Sequence, residues 1–522
     1  MPTADIVLTG AHIHTLDPVR PRATAVAIKD GTITAVGDTA DVRDWKGPGT
    51  ETVDLTGATL TPGLTDAHSH PVWGLELATG TDLSAIGDLA ALRAALRSAP
   101  RVDGWVLGHG LDHNAFEGRP LHHALIQDAL HGAHAYIRLY DGHSALLSES
   151  ALALAGIDGP RAFDQRAEVV CDAEGRPTGH LIEHAAMDLA DPVLPRTPQD
   201  ERRTQLLDLL SAMATTGLTS AHVMDLGGNA LELLMAVEST TDLPLRLRLA
   251  PWCMPGVTDD GIAELIALQQ HRGRNWRVGG VKFFMDGTVE GGTAWLEQAD
   301  CHGQGTDAFW PDPKAYSRAV RQLHEAGVPT ATHAIGDAAV RHVLDTVESI
   351  GAGGPRHRIE HIETVPDDQL PRFARLGVTA SMQPPHTAYT RADHTDEWSQ
   401  RLGEERASRA WRCRDLRNAG AVLALGSDWP IAHFDARQVL AMGRSPGGAA
   451  RGAGLTGLMA LEGMTTHAAF AAGEESVAGR VAVGHRADLT AFGLDPVQAA
   501  PDEVAEAPVL LTMTSGRITH RG

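Results

Sequence analysis

The chain has 522 residues, 43% of them hydrophobic and 21% charged, which is the ordinary balance of a globular protein with a large core. Its formal net charge is −22, and a surface this acidic repels a phosphate backbone, which argues against nucleic-acid binding. No apolar run is long enough to span a bilayer, the N-terminus lacks a secretory pattern, and the four cysteines show no CxxC spacing, so we expect a cytoplasmic protein with reduced thiols and no membrane partner.

Short strands and tight turns occupy both ends of the chain. The segments "ADIVLTGAHIHTLD" and "ATAVAIKDGTITAVGD" near the N-terminus alternate in pieces and are broken by Asp-Gly and Gly-Asp turns. The segment "GRVAVGHRADLTAF" near the C-terminus has the same character. This pattern predicts one small β-sandwich domain that is built from residues 1–58 and 474–522.

The middle of the chain, residues 59–473, alternates apolar strands with helical patterns such as "YSRAVRQLHEAG". Eight strands in this alternation predict an α/β fold with a (β/α)8 TIM barrel, and a doubly wound open sheet is the alternative. The predicted strands are residues 58–68, 218–224, 245–252, 278–287, 329–336, 357–363, 378–386 and 421–428.

The interval between the first and second of these strands, residues 71–215, is too long for one loop and one helix. It contains strand-like segments of its own, "GWVLGHG" and "AYIRLYDGHS". We therefore predict an inserted subdomain that shapes the pocket, because loops after barrel strands build the active sites of such enzymes.

The stretch "TPGLTDAHSHP" places His68 and His70 two residues apart at the end of the first predicted strand. Residues i and i+2 of an extended chain project to the same side, so the two imidazoles form half of a metal site. A second pair, His12 and His14, lies in the predicted β domain away from the barrel strand ends, and we interpret it as structural or exposed.

The other polar residues near the barrel strand ends fit the same chemistry. They are Lys282 in "VKFFMDG", His333 in "THAIGD", His361 in "IEHIE" and Asp428 in "LGSDWP". Imidazole nitrogen and carboxylate oxygen are ligands that zinc and similar divalent ions accept.

These motifs together resemble the YtcJ-like branch (amidohydrolase family 3) of the amidohydrolase superfamily, which includes N-substituted formamide deformylases. The segment "ASMQPPH", the β-rich opening and the closing "GRVAVGHRADLTAF" also resemble that branch, so the resemblance covers essentially the whole chain. It implies one or two divalent metal ions, zinc first. The implied metal ligands are His68, His70, Lys282, His333, His361 and Asp428.

The resemblance also implies that Lys282 is carboxylated and bridges two metals. A desolvated lysine can lose its proton and add CO2, which turns a cation into an anionic oxygen ligand. The alternative for Lys282 is a simple ion pair with Asp286. The predicted catalytic residues are Asp428, Lys282 and His333.

The predicted reaction is hydrolysis of a C–N amide-type bond, N-formyl, N-acyl or cyclic, by a metal-activated hydroxide with Asp428 as the proton shuttle. Alternatives are ester or lactone hydrolysis, a non-hydrolytic reaction such as decarboxylation, and a non-catalytic binding or regulatory protein. The expected partner is a small-molecule substrate, and a homodimer is left open.

Further residues are predicted to contact the substrate. His143 lies in "LYDGHSA", a segment that recurs in the branch, and Leu111 stands where relatives more often have tryptophan. The predicted substrate-binding residues are His143, His109, Asp112, Asp286, Gln383, His386 and Trp429.

Overall fold

The computed structural model describes residues 3–351, 353–450 and 452–522. Strands from both ends of the chain join one mixed sheet of eight strands. The N-terminal and C-terminal parts meet where Thr59–Pro62 pairs antiparallel with Leu489–Phe492. The strands are Ile6–His14, Arg22–Lys29, Thr32–Gly37, Glu51–Asp54, Thr59–Pro62, Leu489–Phe492, Val509–Thr514 and Arg517–Arg521.

A short turn shows why the N-terminal strands pair as they do. Asp30 and Gly31, with φ values of 50° and 73°, join Arg22–Lys29 to Thr32–Gly37, and Lys29 pairs with Thr32 across the turn. Positive φ at both central residues matches the twist of the flanking strands in a two-residue hairpin. The predicted Asp-Gly turn is therefore confirmed.

The first predicted barrel strand, residues 58–68, is two strands in the structure. Thr59–Pro62 belongs to the terminal sheet, and Leu64–Ser69 belongs to a parallel sheet. Gly63 lies between them, and its N–H donates to the carbonyl of Asp488 at 2.7 Å. A Cβ at Gly63 would lie 2.4 Å from the Thr219 side chain, so only glycine fits where the two sheets meet. The terminal sheet thus extends beyond the predicted boundary at residue 58.

Two parallel sheets form the centre of the molecule. The four-stranded sheet contains Leu64–Ser69, Leu218–Val223, Arg246–Leu249 and Trp276–Val278. The five-stranded sheet contains Val281–Phe284, Thr330–Ala334, Arg358–His361, Thr379–Met382 and Leu423–Leu425. The predicted strand 278–287 is therefore shorter, and Gly279 and Gly280 separate the two sheets along the chain.

The two parallel sheets contact each other at both sides through backbone hydrogen bonds. On one side Cys253 N–H donates to the carbonyl of Lys282, at 2.8 Å. On the other side Asp428 N–H donates to the carbonyl of His68 at 2.7 Å, and His70 N–H donates to the carbonyl of Trp429 at 2.9 Å. The α/β architecture with parallel sheets is confirmed, and complete closure into a (β/α)8 barrel stays a prediction.

The interval 71–215 contains a third sheet, of six strands. Its strands are Thr81–Asp82, Trp105–Leu111, His134–Leu139, Ser144–Leu147, Glu168–Cys171 and Pro177–Ile182. Two of them correspond to the predicted strand-like segments "GWVLGHG" and "AYIRLYDGHS". A separate cluster of buried residues, which includes Leu92, Val106 and Ile137, fills the space under this sheet.

Helices cover the parallel sheets, and Pro313–Glu325 illustrates how the sequence specifies them. Asp312 accepts a hydrogen bond from the Lys314 N–H at 3.0 Å and so caps the first turn, and Pro313 follows where its missing N–H costs nothing. Tyr316, Ala319, Val320 and Leu323 recur at helical spacing and are buried.

The remaining helices follow the same logic, and no helix in the described ranges combines the length and apolarity that crossing a bilayer requires. The α-helices are Gly74–Leu77, Leu89–Ser98, Gln127–Leu130, Glu149–Leu154, His184–Met187, Gln199–Thr215, Ala230–Glu238, Asp259–Leu268, Pro313–Glu325, Asp337–Ile350, Leu370–Leu376, Glu397–Ala407, Cys413–Asn418, Ala436–Arg444, Gly457–Gly463, Thr466–Ala471 and Pro501–Ala505. Short 3₁₀ turns are Arg43–Trp45, His113–Phe116, His123–Leu125, Asp188–Ala190 and Pro384–Tyr389.

Candidate metal centre

The carboxyl ends of the parallel strands bring the predicted ligand side chains together. His68 lies near the end of Leu64–Ser69, and His70 follows directly. His361 is the last residue of its strand, and Asp428 lies three residues beyond Leu423–Leu425. His361, Ile362 and Asp428 all have positive φ, which is rare for a β-branched residue such as Ile362. Such strained backbone is concentrated at functional sites, and here it occurs next to two of the predicted ligands.

The Asp428 carboxylate lies among four imidazoles. Its Oδ1 atom is 3.5 Å from His68 Nε2 and 3.2 Å from His70 Nε2. Its Oδ2 atom is 3.8 Å from His361 Nδ1 and 3.6 Å from His386 Nε2. The five side chains are buried. They form two groups that could each hold an ion, His68 with His70 and Asp428, and His361 with His386 and Asp428.

Three of these atoms are buried and make no hydrogen bond in the described part of the chain: Asp428 Oδ1, His361 Nδ1 and His386 Nε2. Buried polar atoms normally have a partner, so each orphaned atom indicates a group that the protein alone does not supply. The two imidazole nitrogens lie 3.8 and 3.6 Å from Asp428 Oδ2, which is longer than a hydrogen bond and suits a cation between them. The donor set, nitrogen with one carboxylate, fits zinc or a similar divalent ion.

Lys282 and His333 lie beside these groups. Lys282 is 1% exposed, and its Nζ lies 3.5 Å from His68 Nε2. The ring of His333 is 4.3 Å from that of His361, and its Nε2 lies 3.1 Å from the carbonyl of Gly287. His333 therefore packs against the second group. His386, which the sequence predicted to bind the substrate, belongs to that group.

The alternative ion pair between Lys282 and Asp286 does not form. Asp286 accepts hydrogen bonds from the backbone N–H groups of Trp295, Ile335 and Gly336 at 2.8, 3.0 and 2.8 Å. Its strand ends at Phe284, so the expected extension that would place Asp286 on the same face as Lys282 is absent. Asp286 instead anchors the loops that follow two strands.

Each histidine of the HxH pair is oriented by a buried carboxylate. His68 Nδ1 lies 2.6 Å from Glu360 Oε2, and His70 Nδ1 lies 2.8 Å from Asp225 Oδ2. Arg358 in turn donates to Glu360. A carboxylate on the far nitrogen fixes the tautomer and directs Nε2 of each ring to the shared space. Glu360, Asp225 and Arg358 are functional residues that the sequence alone did not indicate.

Asp66 links the first and last parallel strands below the site. Its Oδ1 accepts from the backbone N–H of His68 at 3.1 Å and of Ser427 at 3.0 Å, and its Oδ2 accepts from the Ser427 hydroxyl at 2.5 Å. These bonds hold His68 and the residue before Asp428 at a constant separation. Asp66 stands in the quoted "TPGLTDAHSHP", so its sequence position was visible, but its partner 361 residues away was not.

Burial sets the protonation of the site. Burial lowers the pKa of His68, His333 and His361 well below its usual value, so these imidazoles are neutral and their nitrogens can bind a cation. Burial also lowers the pKa of Lys282 to about 8, which increases the fraction of neutral amine. For Asp428 burial acts in the opposite sense, but its hydrogen-bonded neighbour His70, whose own pKa is raised to about 9, helps to hold the Asp428 pKa below the usual range.

A pocket of about 690 Å³, its open mouth included, leads to these side chains, within the size range of small-molecule sites. Its lining includes the six predicted metal ligands together with His143 and His386. The interval 71–215 supplies Trp73, Tyr140, Asp141, His143 and His184 to the wall.

His143 is held by the inserted segment in the same way as the HxH pair. Its Nδ1 lies 2.7 Å from Glu183 Oε2, and its ring is 5.2 Å from that of His333. Burial alone would lower the pKa of His143, but Glu183 outweighs burial and raises it, which favours the imidazolium. This side chain lines the pocket, where its ring can donate or accept a hydrogen bond.

Five predicted substrate residues do not line the pocket: His109, Asp112, Asp286, Gln383 and Trp429. The residue after the 109–112 segment contacts the pocket wall: His113 Nε2 lies 3.0 Å from Oδ2 of Asp141, which lines the pocket. Asp141 also accepts from the N–H of His143 at 2.9 Å, so this pair supports His143. A substrate role for the five residues stays a prediction.

Four residues of the pocket wall were not predicted from the sequence: Tyr140, Glu290, Glu363 and Tyr389. Tyr140 donates to Glu290 and stacks on Tyr389 with 3.8 Å between ring centroids. Glu363 accepts from Trp398 Nε1 at 2.7 Å. Glu363 stands two residues after His361 in the quoted "IEHIE", and Tyr140 stands in "LYDGHSA", so proximity to the motifs was the available signal.

The second HxH pair has a carboxylate that the sequence analysis did not identify. His14 Nε2 lies 2.8 Å from Asp495 Oδ1, and His12 Nδ1 lies 3.6 Å from Asp495 Oδ2. Arg22 contacts both ring nitrogens of His14. A guanidinium in that position competes with any cation, so a structural role remains the better interpretation of this pair.

Comparisons with known proteins agree with this architecture. The sequence profile of the amidohydrolase family matches residues 51–520. The chain is 28% identical to the putative amidohydrolase YtcJ of Bacillus subtilis, with 98% of each chain covered. It is 25% identical to the N-substituted formamide deformylase of Arthrobacter pascens, over 99% of this chain and 98% of that one. A crystal structure described as an uncharacterized metal-dependent hydrolase from Pyrococcus horikoshii superposes with a TM-score of 0.73 at 23% identity, covering 95% of this chain and 99% of that one, which establishes a shared fold.

Proposed function

Because the chain belongs to the amidohydrolase family, we propose that it is a metal-dependent hydrolase that cleaves a C–N amide-type bond in an N-formyl, N-acyl or cyclic amide. The observation that carries the proposal is the Asp428 carboxylate at 3.2–3.8 Å from four imidazoles at the base of a pocket. The same proposal includes a (β/α)8 barrel over residues 59–473, a β domain from both termini, and an insertion over residues 71–215.

We assign the metal ligands from the donor atoms that converge there. His68, His70 and Asp428 would hold one ion, and His361 with His333 or His386 would complete a second position. A divalent cation held by these groups would lower the pKa of a bound water from 15.7 to roughly 7 and would polarise a carbonyl oxygen. Zinc is the preferred metal because the donors are mostly imidazole nitrogen.

Asp428 is the proton carrier in this proposal. It is 5% exposed, it faces the pocket, and its Oδ1 has no hydrogen bond within the described chain. A carboxylate in this position can accept a proton from the attacking water and deliver it to the leaving nitrogen. An amine leaves poorly as an anion, so protonation of the nitrogen is the step that cleavage of an amide requires.

His143 is placed to stabilise the developing oxyanion. Glu183 holds its far nitrogen at 2.7 Å and favours the protonated ring, so the other nitrogen donates into the pocket. A fixed cationic donor stabilises a tetrahedral oxyanion without reorganising during the reaction. The pocket also has a wall of aromatic side chains that suits an apolar substituent on the amide, formed by Trp73, Tyr140, Phe284, Tyr389 and Trp411.

Lys282 supports a carbamate bridge in this proposal. The amine is buried, its pKa is lowered to about 8, and no carboxylate lies within ion-pair distance of it in the described chain. Addition of CO2 to the neutral amine forms an N–C bond and releases one proton, which leaves an anionic oxygen donor beside His68.

Two measurements test the proposed function together. Elemental analysis of protein purified without chelator should find one or two divalent ions per chain. A screen of formamides, N-acyl amino acids, cyclic amides and lactones should find turnover of an amide that a chelator abolishes and added zinc restores. Turnover of lactones alone would assign ester chemistry to the site, and full activity in rigorously metal-free protein would contradict the proposal.

A further inference from the structure

Arg248 is a buried cation without a partner. It lies in the strand Arg246–Leu249, it is 8% exposed, and in the described part of the chain its guanidinium takes part in no hydrogen bond or ion pair. Its Nε atom is fully buried and unsatisfied. Burial lowers the pKa of Arg248 to about 9, which still leaves the side chain protonated at neutral pH. An isolated charge in this environment is unfavourable unless an anion or water compensates it.

Arg248 lines an open cavity of about 1150 Å³, its mouth included. The cavity lies at the amino ends of parallel strands. Pro329 in its lining directly precedes the strand Thr330–Ala334, and Gly279 lies two residues before the strand Val281–Phe284. The candidate metal centre occupies the carboxyl ends. The two sites are therefore at opposite ends of the same sheets.

The other arginines of the cavity have carboxylate partners of their own. Arg277 Nε donates to Glu474 at 3.0 Å, and Arg356 donates to Glu475 through two nitrogens at 2.7 and 2.5 Å. These bonds occupy Glu475, which lines the cavity, and Glu474, which precedes it in the chain. Arg248 is left as an additional positive charge, although the chain as a whole carries a net charge of −22.

The backbone beside Arg248 leaves room for its side chain. A Cβ at Gly279 would lie 2.9 Å from Arg248 Nε, so a larger residue there would displace the guanidinium. Gly280 follows with a φ of 119°, a conformation that L side chains rarely adopt. The two glycines therefore keep the arginine in place and the cavity open.

We propose that Arg248, with Arg277 and Arg356 beside it, binds a phosphate-type oxyanion, either free or as the terminal group of a small phosphorylated metabolite. A guanidinium presents its N–H groups in a planar fork that matches two oxygens of a phosphate. A doubly charged anion suits a cavity in which one unpaired guanidinium and two paired ones converge. The cavity is large enough for the organic part of a small metabolite.

The test is calorimetric titration of the metal-loaded full-length protein with inorganic phosphate, at an ionic strength held constant with chloride. The wild-type protein should bind phosphate saturably, and Arg248→Gln should weaken the binding at least tenfold. A matched control is Arg176→Gln. Arg176 is a surface arginine whose side chain is 74% exposed and pairs with Asp172. The control should bind phosphate as the wild type does.

A second arm distinguishes the source of the phosphate. Glycerol 3-phosphate should bind more tightly than inorganic phosphate if the ligand is a phosphorylated metabolite, and less tightly if the ligand is free phosphate. Both outcomes support the site provided that Arg248→Gln removes the binding. The proposal is overturned if phosphate gives no saturable heat with the wild type. It is also overturned if Arg248→Gln binds phosphate as tightly as the wild type, because the anion then occupies the metal pocket.

Thermal unfolding supplies an independent readout. In chloride, Arg248→Gln should be at least as stable as the wild type, because it removes a buried charge that has no partner. Phosphate at constant ionic strength should raise the melting temperature of the wild type and leave that of Arg248→Gln unchanged. An Arg248→Gln protein that fails to fold in chloride would show that Arg248 has a structural partner and would contradict the inference.

Discussion

Glu360→Gln is the substitution for which the structure predicts two separate losses. Glu360 is fully buried between His68 and Arg358. Its Oε2 accepts from His68 Nδ1 at 2.6 Å and from Arg358 Nη2 at 3.0 Å, and its Oε1 accepts from Arg358 Nε. Glutamine keeps the shape of glutamate but carries no charge. Its NH2 group is a donor, so it must face an N–H donor of either His68 or Arg358 where the carboxylate oxygen accepted a hydrogen bond.

The first loss concerns stability. Arg358 is 2% exposed, and it keeps hydrogen bonds to the carbonyl of Ala67 and the hydroxyl of Ser381, both at 2.6 Å. These neutral acceptors do not neutralise its charge, so the substitution leaves a buried cation. Removing one member of a buried ion pair costs about 3–5 kcal/mol, and we expect the free energy of unfolding to fall by that amount.

The second loss concerns metal. His68 depends on Glu360 for its tautomer and orientation, and loss of such an oriented partner typically weakens metal binding by about 10–100-fold. We expect the lower end of that range, because the glutamine carbonyl can still accept from His68 Nδ1. Competition with a chelator of known affinity measures the effect in folded protein.

The double variant Glu360→Gln/Arg358→Met separates the two losses. It removes both charges, so part of the stability should return, because no buried cation is left without its carboxylate. Metal affinity should stay low, since His68 still lacks its carboxylate. The control is Glu405→Gln, whose exposed pair with Arg409 at 2.8 Å should change stability by about 1 kcal/mol or less. A Glu360→Gln protein with stability and metal affinity both equal to those of the wild type would refute the reasoning.

Three further predictions concern side chains of the pocket. Asp428→Asn should lower kcat by about 100-fold or more, in line with general acid–base contributions of roughly 10²–10⁴, as measured by steady-state kinetics at fixed metal occupancy; near wild-type turnover would assign the proton transfer elsewhere. His143→Ala should raise KM or change substrate preference while metal content by elemental analysis stays constant, and loss of metal with unchanged kinetics per loaded enzyme would contradict that role. Lys282→Ala should lose metal and most activity, partly restored by added acetate or propionate, whereas Lys282→Arg should not restore them. A bare Lys282 amine, in the electron density of an active crystal, would exclude the carbamate.

The predicted ligand set rests partly on local signals in the sequence and partly on the family resemblance. His68 and His70 share a face of an extended chain through the two-residue period of a strand, and that relation needs no knowledge of the rest of the fold. His333, His361 and Asp428 stand at or just beyond the ends of apolar strands, and the carboxyl ends of parallel strands meet at one edge. The alternation of strands and helices is also a local signal, and it predicted the α/β architecture. The prediction that Lys282 is a ligand came from the family resemblance.

The sequence could not show which side chains meet across distant elements. Glu360 lies 292 residues from His68, and Asp225 lies 155 residues from His70, so neither contact leaves a periodic signal. The position of His113 against Asp141, rather than a pocket position for His109, depends on a local 3₁₀ turn.

Where a charge stays unpaired and where a strand divides both depend on how distant elements pack together. Gly63 splits the first predicted strand because two sheets meet there, although the apolar pattern continues through it. Arg248 is buried without a carboxylate partner in the described chain, whereas Arg277 is more exposed and pairs with Glu474, and both differences come from the surroundings and not from the residue type. Periodicity describes the face on which a side chain lies, whereas pairing depends on the distance between atoms of elements that the fold brings together.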